Sequence, residues 1–195
     1  MIRIFDVIFS LLGIIILLPL FFIIYLLVVI ESRGGGLYLQ KRVGKDGVDF
    51  TLIKFRSMRV GSDKNGLITI GERDSRLTKT GIILRGLKLD ELPQLFNVLI
   101  GDMSLVGPRP EVRKYVDQYT LEQKRVLNVR PGVTDYASIE YANESEILGK
   151  YSDPEKGYIE DIIPHKILLN LKYINNICIK EYLKIIFLTF WKIVK

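Results

Sequence analysis

Polar positions are missing from one long stretch near the start of the chain. Val7 to Ile30 carries no charge and is nearly all Ile, Leu, Val and Phe. A helix needs about 20 such residues to span a bilayer. Pro19 lies mid-run, where it removes a helix hydrogen bond and bends the axis. The run therefore reads as two helical arms, each of about 20 Å or less and too short to cross. Positive charge flanks both sides, with Arg3 before and Arg33, Lys41, Arg42 and Lys45 after, which places both flanks on one face of a membrane. Asp6 sits near the entry. A kinked helix that enters and leaves the same leaflet fits these features, and a plain single-span anchor is the alternative. No small-x-small site follows Ile30-Glu31-Ser32-Arg33, so cleavage as a signal peptide is not expected.

Beyond that run the pattern becomes that of a charged globular protein. Ser32 to Gly36 reads as a flexible joint; it lacks the Gly-Lys-Ser/Thr ending of a phosphate-binding P-loop. Leu37–Val43 and Val48–Phe55 are strand-like runs around Gly44-Lys45-Asp46-Gly47, whose Asp-Gly signals a hairpin. Gly61 to Ser75 reads as a polar surface loop. Next comes a helix with Asp90 as its cap, Pro93 in its first turn, Gly101 at its end, and Leu92, Leu95, Phe96 and Leu99 on one face. Pro110 to Leu127 suggests a second helix, Val133 to Tyr141 a strand, Tyr151 to Gly157 a loop, and Lys166 to Asn175 a further helix opened by Pro164. At the end of the chain, Lys180, Lys184, Lys192 and Lys195 share a helical side. Tyr182, Leu183, Ile186, Phe187, Phe190 and Trp191 fill the rest. That is the pattern of an amphipathic helix in a membrane interface; a core helix is the alternative.

Composition agrees with this division. The 195 residues are 48% hydrophobic, with a mean hydropathy of +0.21, a net charge of +6 and a pI of about 9.3. Basic chains bind nucleic acid, anionic lipid or phosphorylated ligands, and the apolar ends favour the last two over nucleic acid. One cysteine excludes an internal disulfide.

With one histidine and one cysteine, a Ser-His-Asp triad, a Cys-His pair or a multi-Cys zinc site is hard to build. Chemistry then falls to carboxylates and arginines. Asp90-Glu91 follows Arg85 and Lys88, and Arg109 comes soon after within Gly107-Pro108-Arg109-Pro110. Arginine forks grip phosphate oxygens, and a carboxylate can attack phosphorus or hold a divalent cation. A helix start also attracts phosphate and favours an ionised carboxylate. The same two acids also fit a cap and a first-turn residue with no chemistry. His165, beside Pro164, reads as a surface or helix-entry residue.

Four blocks carry a resemblance. These are Lys54-Phe55-Arg56-Ser57-Met58; Leu84-Arg85 leading to Leu89-Asp90-Glu91-Leu92-Pro93-Gln94; Gly101-Asp102-Met103-Ser104-Leu105-Val106-Gly107-Pro108-Arg109-Pro110; and Arg130-Pro131-Gly132-Val133-Thr134. In this order they resemble the bacterial sugar transferases, the monotopic phosphoglycosyl transferases, over essentially the whole chain from Arg3 onward. The family moves a sugar-1-phosphate from a nucleotide sugar, usually UDP-linked, to a polyprenol phosphate, and UMP leaves. This is the first membrane step in building a surface glycan. The resemblance implies Asp90 as the nucleophile, Glu91 as its acidic partner, Mg2+ at Asp90, and Lys54, Arg85 and Arg109 as phosphate- or substrate-binding residues. It also implies a helix-break-helix membrane segment with Pro19 at the break, in the inner membrane of a bacterium, with the catalytic domain facing the cytoplasm. With no room for further N-terminal spans, the chain resembles the short form.

The expected fold class is therefore α+β: a small, mainly helical catalytic domain with a β-hairpin, over residues 34–195, joined to a kinked membrane helix over 1–33 and ending in an amphipathic helix over 179–195. The expected partners are a nucleotide sugar, polyprenol phosphate and the phospholipid bilayer, with no nucleic acid; the sequence carries no sign of oligomeric state. Two alternatives stay open, a membrane-tethered lipid-binding scaffold and a nucleotide-sugar hydrolase. The chain departs from the family pattern after Thr134, where Asp135-Tyr136-Ala137-Ser138-Ile139-Glu140-Tyr141 replaces the usual Gly-aromatic-Ala-Gln-Val-Asn-Gly-Arg, and at Gly86, where a basic residue is frequent. These changes bear on sugar and nucleotide contacts.

Overall fold

The computed structural model describes residues 1–32, 34–62, 68–69, 71 and 74–194. Arg33 of the expected joint, Lys195 of the lysine series and parts of the expected loop at 61–75 lie outside them. The fold is α+β, with an apolar N-terminal helix, short helices and two small sheets.

Helix α1 spans Ile2–Ser32 as one element with Pro19 inside it, where the sequence suggests two arms. Asp6, Ser10, Ile14, Phe21, Ile24 and Val28 are buried, at steps of one or two helical turns, so one face looks inward along its whole length. The outward face is bare and apolar: Ile16 is 72% exposed, Phe22 64% and Ile30 79%.

The hairpin forms as expected. Strands β1 (Leu37–Val43) and β2 (Asp49–Phe55) pair antiparallel with Leu37 opposite Phe55. The turn needs two left-handed residues, supplied by Asp46 at φ 56° and Gly47 at φ 75°. Helix α2 (Lys79–Gly86) follows, then a 3₁₀ turn at Leu89–Glu91 and helix α3 (Gln94–Ile100), which Gly101 ends at φ 108°. Leu84 of α2, Phe55 of β2, and Leu92, Leu95 and Leu99 pack beneath α1.

Strands β3 (Ser104–Val106) and β4 (Gly132–Thr134) pair in parallel. They bring two of the motif blocks together at a close crossing. A Cβ on Gly132 would stand 2.1 Å from the Gly107 nitrogen, so both motifs need glycine there.

Beyond α1, three further elements differ from expectation. The helix over Pro110 to Leu127 shrinks to α4 (Arg113–Val116) and a 3₁₀ run at Gln123–Asn128. Thr120 and Gln123 exchange backbone-to-side-chain bonds of 2.9 and 3.2 Å, a reciprocal cap that starts a new turn inside the expected helix. The strand over Val133 to Tyr141 ends at Thr134, because Asp135 accepts from the Ser138 N–H and caps α5 (Tyr136–Glu140). In the loop at Tyr151 to Gly157, Asp153 caps α7 (Pro154–Gly157), which comes after α6 (Glu144–Leu148). A π-helical turn then leads into α8 (Ile163–Ile174).

Helix α9 (Ile179–Val194) packs into the core on one side and leaves apolar residues exposed on another. Tyr182 and Ile185 are fully buried, while Phe187, Phe190 and Trp191 stand open on another side.

Long-range polar contacts pin α1 to this body at both ends. Near its start, Arg3 donates to the Val98 and Leu99 carbonyls at 2.6 and 2.9 Å. Asp6 accepts from Ser104 Oγ, the Leu105 N–H and Tyr182 Oη at 2.8–2.9 Å. Near its end, Glu31 accepts from the Lys79 and Thr80 N–H groups at 2.7 and 2.8 Å, which caps α2.

Candidate active site

Pro93 shapes the turn that carries the two acids. It has no N–H to return to Leu89, so the Leu92 N–H takes that carbonyl instead, at 3.3 Å, and the turn tightens to 3₁₀. Asp90 thus sits inside a 3₁₀ turn and is not the cap of α3, as the sequence suggests. Lys88 enters the turn with a left-handed φ of 56°, a conformation costly for a residue with a side chain.

Asn97 fixes this turn against the hairpin. It is fully buried, accepts from the Ile53 N–H at 3.0 Å and donates to the Thr51 carbonyl at 2.8 Å. One amide side chain thereby pairs the open edge of β2 and sets Lys54 opposite the acids. On the other side, the Arg109 N–H donates to Asp135 at 3.0 Å. Asp135 is itself completely buried.

The structure brings Lys54, Asp90, Glu91 and Arg109 together. Arg109 grips Glu91 with both terminal nitrogens, one at 2.9 Å, and Lys54 Nζ lies 3.5 Å from the same carboxylate. Arg85 stands at the rim, its Nε on Ser57 Oγ and its Nη1 on Thr69 Oγ1, both at 2.9 Å. The cations expected to meet phosphate thus spend part of their capacity on Glu91, Ser57 and Thr69.

The two adjacent acids are driven apart in acidity. Burial, followed by the Glu91 charge, raises Asp90 above the usual carboxylate range against the pull of Lys54, Arg85 and Arg109. The shift is opposite in direction to the one expected from the sequence, a helix start favouring the ionised form. Burial also works to raise Glu91, but Arg109 and Lys54 hold it well below the usual range. Burial lowers the Lys54 ammonium to about 8. Arg109 is raised, first by Glu91. Neighbouring acids with opposed shifts mark a division of labour. Glu91 stays an anion that organises cations. Among the described residues, no side-chain hydrogen bond occupies the Asp90 carboxylate.

A continuous cleft of about 1460 Å³ passes over this group. Its lining includes Leu17 and Leu20 of α1, Ile186 and Phe190 of α9, and residues of α5, α6 and α8. His165 lies outside the chemistry, on the surface, with Nδ1 2.7 Å from Tyr141 Oη. Among the described residues no three His, Cys, Asp or Glu side chains converge. The donor set at Asp90 fits Mg2+, which commonly takes one or two carboxylates and completes its shell with substrate phosphates and water.

Sequence reasoning missed Asn97, Asp135, Ser57 and Asp6. Asp135 had a signal, since it opens the segment that departs from the family pattern. Asn97 had a weaker one, as a polar residue within an apolar helix.

The sequence is similar to known proteins along its length. The family described as "Bacterial sugar transferase" matches residues 1–195. A UDP-glucose:undecaprenyl-phosphate glucose-1-phosphate transferase of Klebsiella pneumoniae is 39% identical over 194 residues, 97% of this chain and 39% of that protein. Its counterpart in name from Escherichia coli K12 is 33% identical over 195 residues, again 39% of its length. A UDP-N-acetylgalactosamine-undecaprenyl-phosphate N-acetylgalactosaminephosphotransferase of Aeromonas hydrophila is 42% identical over 137 residues, 69% of this chain and 32% of that protein. The chain thus spans about two-fifths or less of the length of these three relatives. With the match running from end to end, the chain belongs to the bacterial sugar transferase family.

Proposed function

We propose that the protein transfers a sugar-1-phosphate from a UDP-sugar to a polyprenol phosphate, undecaprenyl phosphate in bacteria, at the cytoplasmic face of the inner membrane. The relatives named for this reaction support it. The observation that carries it is a buried, unengaged Asp90 beside a Glu91 held ionised by Arg109 and Lys54, in a cleft that reaches the apolar faces of α1 and α9.

In this reading an Asp90 carboxylate oxygen attacks the sugar-bearing phosphorus. The P–O bond to UMP breaks, and UMP leaves with the electron pair. A phosphate oxygen of the polyprenol phosphate then attacks the same phosphorus and displaces Asp90. Lys54 and Arg109 offset charge on the diphosphate, and Glu91 orients both. Asp90 would hold Mg2+, which, when bound, neutralises charge between the anionic nucleophile and the diphosphate.

The tie points of α1 support a one-sided membrane placement. A helix of 31 residues is about 46 Å long. With both ends bonded to one body, its apolar outer face and the exposed aromatics of α9 enter lipid from the side where that body sits. Arg3, Lys41, Arg42 and Lys45 favour the cytoplasmic side.

The test is UMP release from radiolabelled UDP-sugars before acceptor is added. The expected result is a burst of up to about one equivalent, ping-pong kinetics once undecaprenyl phosphate is present, and suppression by EDTA. Release of UMP only when both substrates are present defeats the covalent route. Continued release without acceptor indicates a hydrolase, and none under any condition a scaffold.

A further inference from the structure

The cleft also holds polar groups that the chemistry above does not use. Helix α5 packs on α8 there, and Ser138, Tyr141, Glu144, Lys166 and Asn170 line the wall. Most of them are satisfied within the protein. Lys166 pairs with Glu144, and its ammonium lies 5.8 and 5.1 Å from the Tyr141 and Tyr158 ring centres. Tyr141 Oη bonds His165, and Tyr158 Oη donates to Glu111 at 2.7 Å.

Two are not satisfied. Asn170 is 6% exposed, and its Oδ1 is buried without a hydrogen-bond partner; Ser138 Oγ is likewise buried and unpartnered. Buried polar atoms are nearly always paired, because an unpaired one costs stability that an apolar side chain of similar shape would not. Two such atoms on one cleft wall call for a ligand or a function. Asn170 follows Lys166 by one helical turn, which puts both on the same side of α8.

This wall is coupled to the reacting end. Asp135 caps α5 through the Ser138 N–H and also accepts from the Arg109 N–H. Lys88, two residues before Asp90, reaches the Ala142 carbonyl at 3.5 Å.

We propose that Ser138 and Asn170 form the subsite that reads the sugar ring of the donor, hydrogen-bonding its hydroxyl or acetamido groups. This rests on the transferase reading above. Because Glu144 already takes the charge of Lys166, the subsite fits an uncharged hexose or acetamido-hexose and disfavours a hexuronic acid. A site built to bond a polar group rejects analogues that leave its own groups unpaired, and discrimination follows from that.

The experiment uses the full chain in nanodiscs with undecaprenyl phosphate and a panel of UDP-glucose, UDP-galactose, their N-acetylamino forms and UDP-glucuronic acid. Wild type, Asn170→Leu and Ser138→Ala are compared by kcat/KM for each donor, by the inhibition constant of UMP, which lacks the sugar, and by melting temperature. For the best donor, kcat/KM should fall about 10- to 100-fold in Asn170→Leu and less in Ser138→Ala, mainly through KM, and the preference among sugars should flatten. Inhibition by UMP should not change, and the melting temperature should hold or rise. Undiminished sugar preference in both variants overturns the assignment. So does an equal loss of UMP inhibition, which would place the contact on the nucleotide, or a wild-type preference for UDP-glucuronic acid. A wild-type chain that turns over no member of the panel overturns the transferase reading and this subsite with it.

Discussion

Asp6 and Asp90 are both buried aspartates, 2% and 6% exposed, yet they belong to different kinds of site. Asp6 accepts three hydrogen bonds, from Ser104, Leu105 and Tyr182, and none of those donors is a cation. Asp90 has cations within electrostatic reach but, among the described residues, no hydrogen bond on its carboxylate. Asp135 follows the Asp6 pattern, with the Arg109 and Ser138 N–H groups on its carboxylate. Burial alone does not separate the two; hydrogen bonding does. A carboxylate held by three donors is a fastener. In the proposed reaction, one buried at the cleft and left unengaged is available to a phosphorus atom.

The sharpest way to break this contrast is to remove the charge from each aspartate. Asp90→Asn should abolish transfer to undecaprenyl phosphate, since an amide cannot form the acyl-phosphate, while its thermal midpoint stays close to wild type. Asp6→Ala should do the reverse. It strands the Leu105 N–H and the Tyr182 hydroxyl, costs about 1–3 kcal/mol of stability, and leaves activity measurable at low temperature. Parallel melting curves and transfer assays read both, and normal transfer by Asp90→Asn removes the distinction.

Glu91 sharpens the contrast, because it is an acid that is satisfied by cations. Glu91→Gln should lower kcat/KM by about 10²–10⁴-fold. It should also move the pH profile. In the unmutated chain activity should fall at low pH as Asp90 gains a proton, with that limb above the ordinary carboxylate range because its pKa is raised. At high pH activity should fall as Lys54, lowered by burial to about 8, loses its proton. Glu91 is what raises Lys54, so without it the basic limb should shift to lower pH, and the Asp90 limb should shift down as well. A profile with both limbs unmoved would detach Glu91 from the cluster.

Arg109→Lys is the smallest perturbation. It keeps the charge and loses the planar fork that grips Glu91, so a loss of about 10-fold is expected. Steady-state kinetics on membrane-bound protein checks it, and unchanged activity would make the fork dispensable.

Much of the candidate site was legible in the sequence, because the residues that the structure gathers there, Lys54, Asp90, Glu91 and Arg109, stand within the motif blocks. The hairpin was legible for a local reason as well, since Asp46-Gly47 dictates its own turn. Other elements carried local signals that apolar periodicity outvoted. Thr120 and Gln123 have the Thr-x-x-Gln spacing of a capping box, but the apolar stripe running through them reads as one unbroken helix. Asp135 is a favoured helix cap, but the β-branched and aromatic run around it reads as a strand. The carboxylate of Asp6 finds its donors 98 and 176 residues away. From sequence it is only an acid at the edge of a hydrophobic segment.

The bonds at the two ends of α1 bear on how the protein is made. Ribosomes deliver a chain in order, and α1 is made before every residue that fastens it. Arg3 waits for residues 98 and 99, Glu31 for 79 and 80, and Asp6 for 104, 105 and finally Tyr182. On the membrane placement proposed above, the helix would meet lipid through that interval with Arg3 and Asp6 not yet fastened to the body, and drawing both charges across the hydrocarbon would be costly. The delay would then help keep that end of α1 on the side where synthesis occurs. Helix α9, among the last elements made, completes the shell of hydrogen bonds around Asp6 and locks the arrangement.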